Sequence, residues 1–482
     1  MLKQPFGHQP NRNVAMGLLS FLSFISFISI MLGATSVFGA QAEIDEAKPS
    51  HEYSLDELIE LARRLSPGLA ANGKATTAVR AQVKEAKLNW LPTGELSSLL
   101  TVSPEIRCRP TERECTFTDD PFPKLDTVIQ FHGVFTRTQL TFVQPVYTFG
   151  KITAGIEAAE AGVEASASRE QGLSSELELN IRKAYYGFKL ARDIEVTLKE
   201  GLGYIQQAEN MVQKDLDEGG GNMTITDKLR LQSTRAEVET QMLEVGRGEQ
   251  IAQAGIKALI GPQAPHDLAI DKAEIEKLNV TVRPLSFYEE QARHSRPEIR
   301  ALDFLMRSKH KLADLEWAKQ YPDLALVGTA TYAYASAVDT PQNAFANNPF
   351  NTQGVGIAAA IRMPIDFGQR NARAQKALAE AEEAALRRQE AIGGIGFEVS
   401  KAYIEVMEAN SRIETLAKGE KLSRRWLTAI VQKMDLGLAE TREVTDALKS
   451  YFTMRVRYLQ AISDFNIATA ALTRATGSKV EN

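Results

Sequence analysis

Thiol chemistry is scarce in this chain: 482 residues hold two cysteines, Cys108 and Cys115, and no CxxC. The six histidines, His8, His51, His132, His266, His294 and His310, are widely separated, so a zinc or redox site has almost no ligands to draw on. No metal and no cofactor are implied. Catalytic signatures are missing too, with no GxSxG, HExxH or GxGxxG in a fitting context. Gly150-Lys151 has Ile152 where a phosphate loop needs Ser or Thr, and Pro145 where it needs its first glycine. An enzyme is therefore not expected. There is no basic block, and 56 Lys and Arg against 61 Asp and Glu give a net charge of −5, which argues against a nucleic-acid partner. From Glu43 onward no apolar run approaches the eighteen residues of a membrane helix. Mean hydropathy is −0.23 and 44% of residues are hydrophobic, too polar for a helical membrane bundle and too apolar for disorder.

The one long apolar run lies at the start. Lys3 and Arg12 precede a Ser-rich apolar stretch from Val14 to Gly33, and Ala40-Gln41-Ala42 offers the small-x-small pattern of signal peptidase. Residues 1–42 are read as a cleaved secretory signal, an uncleaved anchor being the alternative.

The remainder is written twice. Ser54-Leu55-Asp56-Glu57 and Ser286-Phe287-Tyr288-Glu289 both have the capping-box form that opens a helix. Pro67 and Pro297 follow, as do Pro92 and Pro322, each pair 230 apart. Pro145 and Pro364 are 219 apart, and Gly221 with Gly437, and Gly261 with Gly477, 216 apart. The spacing predicts a first repeat over 43–262, a linker over 263–284, a second repeat over 285–477 and a tail over 478–482.

Between Pro145 and Gly219, and between Pro364 and Gly437, the chain is rich in Ala, Glu, Gln, Leu and Arg and has no proline. About seventy helical residues reach roughly 100 Å. Ile395, Val399, Ala402, Val406 and Ile413 follow a coiled-coil seam, and the helices return antiparallel over Thr224 to Ile260 and Thr441 to Thr476. Gly393-Gly394-Ile395-Gly396 interrupts the second long helix, as a bend or a site of close packing.

Between the paired prolines the period becomes two, predicting hairpins at about 91–145 and 322–364. Val355, Ile357, Ala359, Ile361 and Met363 share one face. So do Leu326, Ala330, Tyr332 and Tyr334; Leu96, Ser98, Leu100 and Val102; and Val134, Thr136, Thr138, Leu140 and Phe142. These faces suit lipid, and Trp90, Tyr147, Phe149, Tyr321 and Phe367 stand where interfacial aromatics occur; a soluble sheet is the alternative. Four strands cannot close a barrel, whereas three chains would supply twelve. The expected fold is mainly α with transmembrane β: tandem-duplicated long coiled-coil hairpins plus four strands per chain.

Tyr53-Ser54-Leu55-Asp56-Glu57-Leu58 through Ser66-Pro67, Leu91-Pro92, Gln144-Pro145-Val146-Tyr147-Thr148-Phe149-Gly150-Lys151 and Leu259-Ile260-Gly261, in this order and duplicated, resemble the TolC-like family of outer-membrane efflux and secretion channels. The resemblance implies a homotrimer, with a 12-stranded β-barrel in outer-membrane lipid continuous with a periplasmic α-helical barrel. It also implies a passive exit duct serving an inner-membrane pump through a periplasmic adaptor, or membrane fusion protein. Pro145, Gly150, Pro364 and Gly368 would mark the passage from strand to helix.

The helical tips, near 219–224 and 435–441, are where the resemblance puts the pore entrance. Asp227 and Glu443 lie six residues beyond the tip glycines, and Asp446 shares a helix face with Glu443. Three chains would repeat them as acidic rings; a solvated helix face is the alternative. The docking surface for the adaptor maps onto Gly221-Asn222-Met223 and Leu436-Gly437-Leu438. The Arg and Tyr that latch some relatives are here Ala439 and Met434, so closure would rest on packing or on a pair such as Asp227 with Arg442. Cys108 and Cys115 fall in an outward loop, where an oxidising compartment predicts a local disulfide. A periplasmic adaptor or a coiled-coil spacer are the rival readings; the first would show one hairpin, and the second leaves the alternating segments unexplained.

Overall fold

A computed structural model describes residues 51–104, 131–219, 223–339, 348–436, 438 and 440–478. The expected signal over 1–42, both cysteines, Gly221, Asn222, Gly437, Ala439 and the last four residues lie outside the described residues. A short strand β1 (Glu52–Tyr53) leads into helices α1 (Leu55–Leu65) and α2 (Pro67–Leu88), strands β2 (Thr93–Pro104) and β3 (Phe131–Tyr147), and helices α3 (Lys151–Glu218) and α4 (Ile225–Ile260). After β4 (Ala269–Ile270) the order recurs as α5 (Leu285–Ser295), α6 (Pro297–Ala318), β5 (Asp323–Ala335), β6 (Thr352–Arg362), α7 (Phe367–Asp435) and α8 (Thr441–Thr476). Helix lengths of 11, 22, 68 and 36 residues in the first half meet 11, 22, 69 and 36 in the second.

Local chemistry sets the helix starts. Ser54 caps α1: its hydroxyl accepts the Glu57 N–H, and the Glu57 carboxylate accepts the Ser54 N–H at 2.8 Å. Pro67 and Pro297 open α2 and α6 at positions where a missing N–H costs nothing. The second expected capping box does not form. Helix α5 starts at Leu285, before Ser286, with Pro284 in the cap position and no side-chain cap bond. The fixed φ of that proline already sets the entry of the chain.

Seam residues Ile395, Val399, Ala402, Val406 and Ile413 are all buried, in one cluster with Leu459, Ile462 and Phe465 of α8. Each buried Ile, Val, Leu or Phe among them contributes about 1.5–3 kcal/mol by leaving water. Helix α7 runs unbroken through Gly393, Gly394 and Gly396, and a Cβ added at any of them would meet nothing within 4 Å, so the expected bend or close packing is not found within the chain. Close approach explains other glycines. Gly261 and Gly477, with φ of 105° and 73°, bring the ends of α4 and α8 against the α1–α2 and α5–α6 breaks. A Cβ at Gly261 would lie 2.6 Å from Pro67 Cδ, and one at Gly477 2.8 Å from the Ser295 oxygen. The paired glycines thus do the same work in each half.

The segment between the halves is a strap. β1 and β4 pair in parallel, and the chain then crosses α3 and α8. Buried Lys189 donates to Asp271 Oδ2 at 3.0 Å and to the Ala273 oxygen at 2.5 Å. Asp193 accepts the Ile275 N–H at 2.8 Å, and fully buried Asn466 accepts the Leu278 N–H and donates to the Glu276 oxygen. Every one of these side chains satisfies strap backbone that no sheet pairs.

The four long strands form one antiparallel sheet in the order β2-β3-β5-β6. Its register puts Leu96 opposite Leu140, Leu140 opposite Ala330, and Ala330 opposite Val355, so the four separately predicted faces merge into one apolar face. Val355, Ile357 and Ile361 are 84%, 69% and 75% exposed on it. Gly328 lies under the Phe142 ring on this face, with no room for a Cβ. The opposite face carries Glu95, Ser97, Thr101, Arg137, Gln139, Thr141, Thr329, Thr331, Gly354, Gly356, Ala358 and Ala360, with Leu99, Phe135, Val143 and Val327 among them.

Gly201 on α3 faces the Phe452 ring so closely that a Cβ would lie 2.2 Å from it. Gly201→Ala is predicted to lower stability by about 1–3 kcal/mol, the usual cost of overpacking. Adding Phe452→Leu should recover most of the loss in thermal melts of the purified protein; independent, additive losses would mean that the two side chains do not meet.

Candidate functional site

The passage from sheet to helices is built differently in the two halves. In β3, Pro145 cannot donate to the ladder, and the register slips between Pro145 and Tyr147, leaving Val146 exposed. Phe149 (φ 51°) and Gly150 (φ 85°) then turn the chain into α3. The Phe149 ring stacks on Tyr321 at 5.6 Å, and Tyr147 meets Phe149 edge-on at 4.7 Å. Lys151 pins this corner to the second half, donating to Asp323 Oδ1 at 2.7 Å and to the Tyr321 oxygen at 2.9 Å. Pro364 lies between β6 and α7, but Gly368 is not the counterpart of Gly150. It sits inside the first turn of α7 without a left-handed conformation, and nothing is near the place of its Cβ. There the turn is made at Asp366, which accepts from Arg370, and Arg370 also reaches the Lys319 oxygen.

At the far end of the helices the first tip is closed by local hydrogen bonds. Gly219 takes the left-handed conformation that ends α3, and Asp215 accepts the Met223 N–H at 2.8 Å. Asp227, the third residue of α4, closes a capping box with Thr224. Its carboxylate accepts the Thr224 hydroxyl at 2.6 Å and the Thr224 N–H at 3.0 Å, and Arg230 lies 3.6 Å away. These partners, the Thr224 hydroxyl first, hold the Asp227 carboxyl below its ordinary range.

At the second tip Lys433, in the last turn of α7, donates to Glu443 Oε2 at 2.8 Å and depresses the Glu443 carboxyl. Arg442 is 3.8 Å from Asp446. Within the chain Asp227 is paired with Arg230 and Arg442 with Asp446, and the pair of Asp227 with Arg442 does not occur. Met434, in the latch position, is 3% exposed and packs with Ile430, Val444, Leu448 and Tyr451. That tip is held by packing and by Lys433–Glu443. Among the expected docking residues Leu436 and Leu438 are exposed, and Met223 is half-buried.

Sequence reading missed Thr224, Asp215 and Lys433 as partners of the tip; Thr224-Ile225-Thr226-Asp227 carries a cap signal with Asp in the place of Glu. It also missed a second apolar stripe on α7. Leu386, Phe397, Ile404, Leu422 and Trp426 are exposed, and their spacings of 11, 7, 18 and 4 are each close to whole helical turns, on the side away from the buried seam. On α4, Ile225, Leu229, Leu243 and Ile251 make a comparable exposed face.

Residues 289–478 match the family described as outer membrane efflux protein. The whole chain has the fold of outer-membrane channels. It is similar to the outer-membrane channel OprN (17% identity, TM-score 0.71, covering 88% of this chain and 90% of that one). It is similar also to the outer membrane protein VceC of Vibrio cholerae (17%, 0.70, 89% and 97%) and to the CmeC outer membrane channel of Campylobacter jejuni (14%, 0.71, 89% and 87%). No curated protein sequence matches the chain. The matched family and these structures are channels rather than enzymes.

Thr224→Ala and Asp227→Ala should each loosen the first turn of α4 by about 1 kcal/mol, as lost caps do, seen as faster amide exchange over 225–229. Because both tip carboxyls are depressed, their ties are fully present above the ordinary carboxylate pKa values and are lost as pH falls through the lowered ones. Exchange at both tips should therefore rise below about pH 4; in Glu443→Gln the second tip should be loose already at neutral pH.

Proposed function

We propose that three copies of this chain form an outer-membrane exit duct, passively conducting substrates delivered by a periplasm-spanning efflux pump or type I secretion system. The observation that carries this reading is the sheet: four strands, apolar and exposed on one face, mainly polar or small on the other, and open at both edges, β2 and β6, among the described residues. In lipid each unpaired backbone group costs several kcal/mol, so an open sheet needs neighbours, and three chains supply twelve strands. The helices support the same closure. The exposed stripes of α4 and α7 lie on different helices, as a head-to-tail ring requires, and α2 leads into one open edge while α7 leaves the other.

In this reading the acids at the tip form rings around the periplasmic entrance, Glu443 and Asp446 attracting cations there. The exposed Leu436 and Leu438, with Met223, offer an apolar tip to a periplasmic adaptor. Taking the protein itself for an adaptor would leave the lipid-suited face of the sheet without a purpose.

The purified protein should run as a trimer from outer-membrane fractions and conduct ions in planar bilayers; a soluble monomer without conductance would overturn the duct. Glu443→Gln with Asp446→Asn should lower cation selectivity in the open channel, and unchanged reversal potentials would put these residues away from the lumen.

A further inference from the structure

The strands carry few charges. Asp323 and Arg362 face each other at the helical end of the sheet, Glu95 stands on β2, and Arg137 lies far along β3. Arg137 pairs in register with Leu99 and Ala333, on the face opposite to the apolar one. Ten residues separate it from Tyr147 in the aromatic belt at the helical end. At about 3.3 Å per residue and a tilt near 40° that is roughly 25 Å of height, the full depth of an outer-membrane apolar band. Tyr332 and Tyr334, exposed on the lipid-suited face, flank the same row and mark the second belt. Arg137 therefore stands on the inner face at the outward mouth.

Two features make its charge count there. The inner face is covered just beyond it: the Phe350 ring meets Phe135 edge-on at 5.7 Å, and Asn351 accepts the Ala335 N–H at 2.7 Å and donates to the Val338 oxygen at 2.8 Å. Ala333 and Ala335 are buried beneath this turn, so the strand wall is thickened inward by apolar material beside the guanidinium. Charge against a low-dielectric wall in a confined path acts further than on an open surface. Nor is it cancelled within the strands. Glu95, on the same face, sits four register rows away, about 13 Å along the strand, beyond the Debye length of about 8 Å at physiological ionic strength.

We infer that Arg137 is a specificity-determining residue of the duct: repeated around the barrel, it sets a positive ring at the exit that favours anions, opposite in sign to the acidic entrance. This rests on the duct reading, and the two can fail separately. A cargo with both charged forms, or an anion moving with counter-ions, would meet attraction at each end in turn. Small inorganic ions report the effect directly.

The test uses the full-length trimer in planar bilayers under a potassium chloride gradient. Arg137→Gln should shift the reversal potential toward cation selectivity, with the chloride-to-potassium permeability ratio falling by about two- to fivefold, and Arg137→Glu should shift it further. Arg137→Lys should stay near the wild-type value, and the differences should shrink in 1 M salt, where the Debye length is about 3 Å. If Arg137→Glu fails to assemble, the Gln and Lys variants decide. Conducting wild-type and Arg137→Gln channels with equal reversal potentials would overturn the exit ring and leave the duct standing. Absence of conductance from wild-type trimers would overturn both.

Discussion

The open edges of the sheet constrain everything else. β2 and β6, 12 and 11 residues long, each present a row of backbone N–H and C=O groups on their outer edges that no strand among the described residues pairs. In water such edges invite aggregation; in lipid they are too costly to leave bare. The sequence between the strands accordingly builds a unit whose borders all lie at its two sides. α2 enters β2 and α7 leaves β6, and their partners α3 and α8 occupy the interior. In the proposed trimer, the incompleteness of the single chain would be a design feature.

The duplication copies backbone geometry more faithfully than side chains. Helix lengths agree to within one residue, and the glycines that dock α4 and α8 are retained. Individual solutions differ. Ser66 stands at the α1–α2 break, whereas the residue 230 further on, Arg296, is 2% exposed and donates to Glu298, Glu398 and the Ala475 oxygen. A buried guanidinium is tolerable only when so fully engaged, and removing one carboxylate partner would cost more than the pair contributes. Gly150 likewise has no working counterpart in Gly368. Backbone-deep features are what two halves of one architecture must share.

This division explains what could be read from the sequence alone. The helices, the strands, their apolar faces and the repeat follow from period and punctuation, because 3.6- and 2-residue patterns report burial directly. The capping box at Ser54 was legible for the same reason, while Ser286 misled because the neighbouring Pro284 had already fixed the start of α5. The tip was only partly legible. Asp227, Glu443 and Asp446 could be picked by spacing, and the Thr224 cap was written beside Asp227, but Lys433 reaches Glu443 from across a turn, which spacing along one helix does not report. The outer stripe of α7 was obscured by the stronger inner seam, since one helix carrying two apolar faces has little net amphipathicity.

The strap has a mechanical consequence. Its anchors on α3, Lys189 and Asp193, lie 25 or more residues before the end of that helix, so roughly 38 Å of helix extends beyond the clamp. Before the strap α3 packs against α2 and α6; beyond it α3 shares one buried cluster with residues of α4, α7 and α8. A rod held in this way is a lever with its fulcrum at the strap: a tilt of about five degrees there moves the far end by roughly 3 Å. In the proposed duct, the diameter of the periplasmic mouth would therefore be set as much by a few hydrogen bonds halfway along the chain as by the residues that line it.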